Sequence, residues 1–218
     1  MDNKITIFGS RNKISNILQE SLLKDGYNVN VIGSDIIDFS DIALENLVEE
    51  LDFQQDYYVF TSGVLHAKRI NQQSTREILD SISINLISIV RICDCLLEKN
   101  PNAKIIIIGS ESGDKGSFDT TYFLSKAALS KYVEERCISN LGQQLLLVSP
   151  SVIEDSGMTA RRKDTHNVNL NKQNHPKKRL LESLEVADFI LFLINRRLDY
   201  LTNTEIKING GKFSRMKY

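Results

Sequence analysis

Hydrophobic positions along the chain follow two periods that alternate from one end to the other. Residues 4–8 (KITIF) make a short β-rich run closed by Gly9. Ile14, Ile17, Leu18, Leu22 and Leu23 then recur at helical spacing, and Gly26 supplies the stop. Residues 28–32 (NVNVI) alternate and predict a second strand. The stretch 42–51 is amphipathic and predicts a helix, with Ser40 or Asp41 as its N-cap. Residues 57–61 predict a third apolar strand, running into Ser62 and Gly63, and the polar stretch 66–71 predicts a loop carrying His66 at the surface. One long helix is predicted over 74–97, with Ile78, Ile82, Leu86, Ile89, Val90, Cys93 and Leu97 on one face. After an Asn-Pro-Asn turn, residues 104–108 form an apolar, β-branched strand of the kind buried on both faces of a parallel sheet. A helix through 124–141, a strand at 145–148, a helix at 184–194 and a strand at 204–208 complete the pattern. Between them, residues 161–179 are rich in Asn, Lys, Arg and His and predict a mobile flap.

Strands alternating with helices throughout imply an α/β fold: a Rossmann-like doubly wound parallel sheet with helices on both faces. The 218 residues suit a single domain, 1–218. Ligands in such sheets bind at the carboxyl ends of the strands, where Gly9, Gly63, Ser110 and Pro150 all fall. The opening strand–loop–helix–strand is the unit that aims loop amides and a helix N-terminus at a pyrophosphate. A net charge of −1 gives no case for nucleic acid or an anionic membrane as partner. No apolar run approaches the roughly 20 residues a membrane helix needs, and the start is a strand rather than a signal peptide. Cys93, Cys95 and Cys137 read as reduced packing residues of a cytoplasmic protein, with no metal site.

Chemistry concentrates in residues 109–126 (GSESGDKGSFDTTYFLSK). Tyr122 and Lys126 stand four apart, one turn on the same face of a helix. A cation beside a phenol favours the phenolate, and lowering the phenol pKa by about three units takes about 4 kcal/mol. Such a tyrosine exchanges protons near neutral pH. Ser110, at a strand end, is placed to hold the same substrate oxygen. With 7 Tyr and 16 Lys in 218 residues, chance alone supplies about half a Tyr-x-x-x-Lys match. The pair therefore needs its context. Asn85 adds to it, because a helix-interior Asn is mildly unfavourable and hints at a task.

In that context the chain resembles the short-chain dehydrogenase/reductases over nearly its whole length. Gly9 matches the first glycine of that family's turn, and Thr61-Ser62-Gly63 takes the place of Asn-Ala-Gly. Asn85, Ser110, Tyr122 and Lys126 fill the four catalytic places in order. Ser149-Pro150-Ser151 stands for Asn-Pro-Gly, and Asn209-Gly210-Gly211 matches the terminal glycines. The resemblance implies hydride transfer between a nicotinamide cofactor and a carbonyl or secondary alcohol. Tyr122 would be the general acid or base, Lys126 the group that lowers its pKa and holds the ribose, Ser110 the oxygen-positioning hydroxyl, and Asn85 the anchor of a relay water. Cofactor contacts fall on Gly9, Ser10, Arg11, Ile14, Ser34, Asp38, Phe39, Ser62, Gly63, Tyr122, Lys126, Pro150 and Ile153.

Departures from the family pattern are concentrated on the cofactor side. Lys13 and Ser15 replace two glycines, Ser151 replaces a third, Asn203 replaces one near the last strand, and Asp155 stands where a Thr is common. Ser10, Arg11 and Ser34 suit a 2′-phosphate, so NADP is favoured over NAD. Residues 156–180 would be the substrate-binding flap, whose basic residues suit an anionic substrate. The resemblance also implies a homodimer or homotetramer built on the Asn85 and Tyr122 helices. The lost glycines support one alternative, a divergent relative without turnover that acts as a nucleotide-binding or regulatory subunit.

Overall fold

The computed structural model describes residues 4–41, 51–161, 165–196 and 198–214. In chain order its elements are β1 (Lys4–Phe8), α1 (Lys13–Lys24), β2 (Asn28–Ile32), β3 (Tyr57–Phe60), α2 (Thr75–Ile82), a π-helical segment (Ser83–Ile87), α3 (Ser88–Lys99), β4 (Lys104–Ile108), α4 (Ser112–Lys115), α5 (Thr120–Glu135), β5 (Gln144–Pro150), α6 (Gly157–Ala160), α7 (Thr165–Asn174), α8 (Ser183–Arg196) and β6 (Thr204–Ile208). The helix predicted over 42–51 lies, apart from Leu51, outside the described residues.

Six strands pair in the order β2-β1-β3-β4-β5-β6, every pair parallel. Successive side chains of a strand point to opposite faces, and the core divides accordingly. Phe8, Tyr58, Phe60, Ile105, Ile107, Leu145 and Leu147 pack on one face against Ile92 and Leu96 of α3 and Leu129 and Val133 of α5. Ile5, Ile7, Tyr57, Val59, Ile106, Leu146 and Val148 pack on the other against Ile14, Leu18 and Leu22 of α1 and Val186, Ile190 and Ile194 of α8. Each fully buried aliphatic side chain contributes roughly 1.5–3 kcal/mol, so the continuous run in β4 holds both layers at once. Because all strands run the same way, the loops after Phe8, Ile32, Phe60, Ile108, Pro150 and Ile208 open on one edge.

Three expectations are revised. The long helix over 74–97 is interrupted by the π segment at Asn85. α5 ends at Glu135 rather than at Gly142, because the Asn203 amide donates to the carbonyls of Val133 (2.9 Å) and Arg136 (2.6 Å) and closes the helix there. Asn203 has φ +50, a left-handed conformation that Asn adopts more readily than most residues. The basic stretch expected as a flap contains α7, and its Lys172 pairs with Glu154 at 2.6 Å. That helix has no apolar stripe, so no hydrophobic period announced it.

Candidate active site at the carboxyl edge

Tyr122 is positioned by the start of α5. Asp119 is the N-cap: its Oδ1 accepts from the Tyr122 amide (3.0 Å), the Thr121 hydroxyl (2.9 Å) and Gln73 Nε2 (2.8 Å). Its Oδ2 accepts from the His66 amide at 2.7 Å. A buried carboxylate is costly unless hydrogen-bonded, and the Gln73 and His66 donors tie the start of α5 to the loop after β3. His66, expected at the surface, is therefore a tethered and largely covered residue, its side chain only 19% exposed.

The turn carrying Ser110 is pressed against the same helix. A Cβ on Gly113 would fall 2.9 Å from the Lys126 backbone carbon and oxygen, so only glycine permits this approach. Ser110 accepts from the Ser112 amide at 3.2 Å, and its hydroxyl stands close enough to the Tyr122 phenol to draw the phenol pKa down. Lys126 donates to the Ile108 carbonyl at 2.9 Å, and its ammonium lies 5.9 Å from the Tyr122 ring centroid. Ser110, Tyr122 and Lys126 are thus brought together at the end of β4.

Their protonation differs from the sequence expectation. Burial pushes the Tyr122 phenol above its ordinary value, opposed by the nearby Ser110 hydroxyl and reinforced by Asp119. Burial also holds the Lys126 ammonium down to about 8. Both groups are desolvated, so each favours its neutral form. The lowered phenol expected beside a cation is absent here, because burial is the largest influence on it.

Asn85 is fully buried in the π segment. Its Oδ1 accepts from the Val64 amide (2.9 Å), and its Nδ2 donates to the Val64 carbonyl (2.8 Å) and to Ser81 Oγ (3.3 Å). The side chain thereby clamps the loop after β3. A π turn steps out of the i→i−4 ladder and recurs at functional sites, which gives the local cost of this Asn a structural reason.

On the nucleotide side, Gly9 has φ +111, and a Cβ there would fall 2.7 Å from Thr61 Oγ1 and 2.8 Å from the Ser62 amide nitrogen. The glycine lets the loop after β1 close onto the end of β3. Asn12 caps α1, accepting from the Ser15 amide at 2.9 Å and donating to Thr61 Oγ1 at 3.0 Å. Ser15 and Ile14 are buried beneath it. A Cβ on Gly33 would fall 2.1 Å from Ser10 Oγ and 2.4 Å from Asp35 Oδ1, so this loop also packs on the turn that carries Ser34. Arg11 and Ser34 are exposed at that junction. Asp38 accepts from the Ser40 hydroxyl and amide, bonds that lower its pKa, and Phe39 is buried in the core. Ser62 Oγ is buried with no hydrogen-bond partner among the described residues, as is Ser149 Oγ. A buried hydroxyl without a partner marks a place for a ligand or water. The loop after β1 and the Ser62 hydroxyl thus meet at the carboxyl edge, where sheets of this kind take their ligands.

Beyond β5, Pro150 is buried and Ile153 bridges Leu181. Asp155 accepts from the Ser183 amide (2.9 Å) and hydroxyl (2.8 Å) and pairs with Lys13 at 2.7 Å. Burial raises its pKa, but the bonds from Lys13 and Ser183 more than offset this and hold it at about 2. Met158, on α6, reaches the same centre: a Cβ on Gly63 would lie 3.5 Å from its Cε and 3.3 Å from Asn85 Oδ1. Sequence reasoning did not single out Asp119 or Gly113. An Asp three residues before the catalytic-type Tyr, at a helix start, was the available signal for the first. For Gly113 there was none, since its role depends on a backbone it meets in space.

An α/β sheet with these groups converging at its carboxyl edge defines a nucleotide-dependent oxidoreductase architecture. A family model described as enoyl-(acyl carrier protein) reductase matches residues 16–212, beginning just past the glycine loop. The chain belongs to the short-chain dehydrogenase/reductase family and is an enzyme of that class, a family that uses NAD(P). It is 25% identical over 199 residues to an acetoacetyl-CoA reductase of Allochromatium vinosum, covering 87% of this chain and 79% of that protein. It is 26% identical over 180 residues to the 3-oxoacyl-[acyl-carrier-protein] reductase FabG of Escherichia coli, covering 78% and 73%. Among solved structures, a short chain dehydrogenase family protein from Francisella tularensis superposes with TM-score 0.82 at 17% identity, over 99% of this chain and all of that one. ElxO with NADP bound superposes with TM-score 0.81 at 19% identity, over 99% and 100%. No helix among the described residues is long and apolar enough to cross a membrane.

Proposed function

We propose that this enzyme reduces the ketone of a 3-oxoacyl thioester or a similar small carbonyl substrate to a secondary alcohol, with NADPH as hydride donor. The observation that carries this reading is the buried Tyr122 phenol, which faces Ser110 and lies one helical turn from the Lys126 ammonium. The nicotinamide supplies the hydride when bound. Tyr122 donates its phenolic proton to the carbonyl oxygen as negative charge develops there. A phenol held above its ordinary pKa is fully protonated at neutral pH, the form a general acid needs. Ser110 positions the substrate oxygen and stabilises the resulting phenolate. Lys126 adds a cation one turn away and binds a ribose hydroxyl. Asn85 keeps the loop after β3 in register and anchors the water that returns a proton to Lys126.

Gly9, Ser10, Arg11, Ile14, Ser34, Asp38, Phe39, Ser62, Gly63, Pro150 and Ile153 would line the cofactor, with exposed Arg11 facing a 2′-phosphate. The thioester reading follows the named activities of the Allochromatium and Escherichia relatives. Residues 156–180 would form the substrate side, where Lys177 suits an anionic group such as a phosphopantetheine phosphate, Arg179 being already paired with Glu185. The enzyme would assemble as a homodimer or homotetramer through α2, α3 and α5.

The test is twofold. Titration with NADPH and NADH, followed by cofactor fluorescence, should show tighter binding of NADPH. Turnover of acetoacetyl-CoA should then fall about 10²–10⁴-fold in Tyr122→Phe. An unchanged rate in that variant would remove Tyr122 from the chemistry.

A further inference from the structure

Lys13 is the first residue of α1, a helix with no acidic residue in its first turn. A cation there opposes the helix dipole, whose positive end attracts anions instead. The protein answers that charge from another element, through the Lys13–Asp155 pair at 2.7 Å. The two partners are not alike. Asp155 is fixed by the amide and hydroxyl of Ser183, at the start of α8. Lys13 is 53% exposed, on a flexible four-carbon stem. A movable cation therefore rests on an anchored anion, and the pair joins the leading ends of α1 and α8, which pack side by side on one face.

We propose that this pair is an affinity-setting latch for the dinucleotide, in which Lys13 leaves Asp155 to bind the cofactor pyrophosphate. The inference rests on the cofactor reading above. Pyrophosphate lies at the N-terminus of the first helix in folds of this kind, reached by loop and helix amides. In this chain the Asn12 side chain already takes the Ser15 amide, which removes one of the donors that end would offer. Lys13 supplies a charge in its place. Asp155 acts in the opposite sense: it competes for the ammonium, and its own charge repels a phosphate brought near. The pair thus acts on binding rather than on the chemical step.

The experiment compares the full-length wild type with Lys13→Ala and Asp155→Asn in NADPH titrations at low and high salt. Asn at 155 keeps an oxygen for the Ser183 bonds and loses only the charge. Circular dichroism establishes that each sample is folded. Lys13→Ala should bind about tenfold or more weakly, the usual size of a lost hydrogen bond to a charged group, with a flatter salt dependence. Asp155→Asn should bind several-fold more tightly. Binding by Asp155→Asn with none by wild type would also support the latch. If Lys13→Ala binds as tightly as wild type or tighter, the lysine is an obstruction and the inference is overturned, while the proposed function stands. If no folded sample binds NADPH or NADH, the cofactor reading fails and takes the inference with it.

Discussion

Lys126 concentrates the conflict between stability and function in one side chain. It is buried with an ammonium pKa of about 8, against 10.5 for an ordinary lysine. Between those values the unfolded chain binds more protons than the folded one, so this residue makes stability rise with pH across that window. Below it, the folded state carries the full cost of a buried charge, no more than about 3 kcal/mol from the size of the shift. Lys126→Met keeps much of the volume and removes the charge. The variant should be inactive yet more stable than wild type at pH 7, with the gap narrowing as pH rises through 8 to 10.5. Urea melts at several pH values measure this, and a constant gap would mean that the Lys126 pKa is not lowered in the folded state. That Tyr122 and Lys126 share one helix face was legible from their spacing, whereas the set they form with Ser110 and Asn85 rested on the family resemblance. The direction of the Tyr122 shift was not legible, since desolvation depends on everything packed around the phenol rather than on its partner four residues away.

At the scale of elements, the site depends on two backbones meeting. Gly113 lets the turn after β4 rest on the carbonyl of Lys126, and backbone atoms have no rotamer through which to yield. Gly113→Ala should lift this turn from α5, at a cost of about 1–3 kcal/mol. Turnover should fall much more than cofactor affinity, a split visible in kcat against the NADPH dissociation constant. Strand and helix alternation was readable because buried parallel strands are nearly continuous apolar runs, as Ile105 to Ile108 are. Interruptions and ends were not readable. The π segment keeps the helical apolar spacing on either side of Asn85, and α5 ends where Asn203, far away in sequence, supplies its amide. A polar helix such as α7 leaves no periodic trace at all.

For the whole molecule, the sheet presents β2 and β6 as its two edges, and large apolar side chains stay exposed on helices of both faces. Leu79 on α2 is 52% exposed and Leu124 on α5 is 48% exposed. Both would be covered by the assembly proposed through these helices. Light scattering at micromolar concentration should therefore give a dimer or tetramer, and Leu79→Glu with Leu124→Glu should shift it toward the monomer. A wild-type monomer would refute the assembly. The class of fold was plain in the sequence because it follows from which faces are apolar. How copies associate depends on faces that look alike until each is known to be left open.

The clamping of α5 has a mechanical meaning. Asp119 ties its leading end to Gln73 and His66, and Asn203 grips its trailing end through two carbonyls. A rod held at both ends neither slides nor rolls, so Tyr122 rides on a stationary frame. Whatever travel each turnover requires is then left to the parts outside that grip, and the enzyme works as an anvil to which the substrate is delivered.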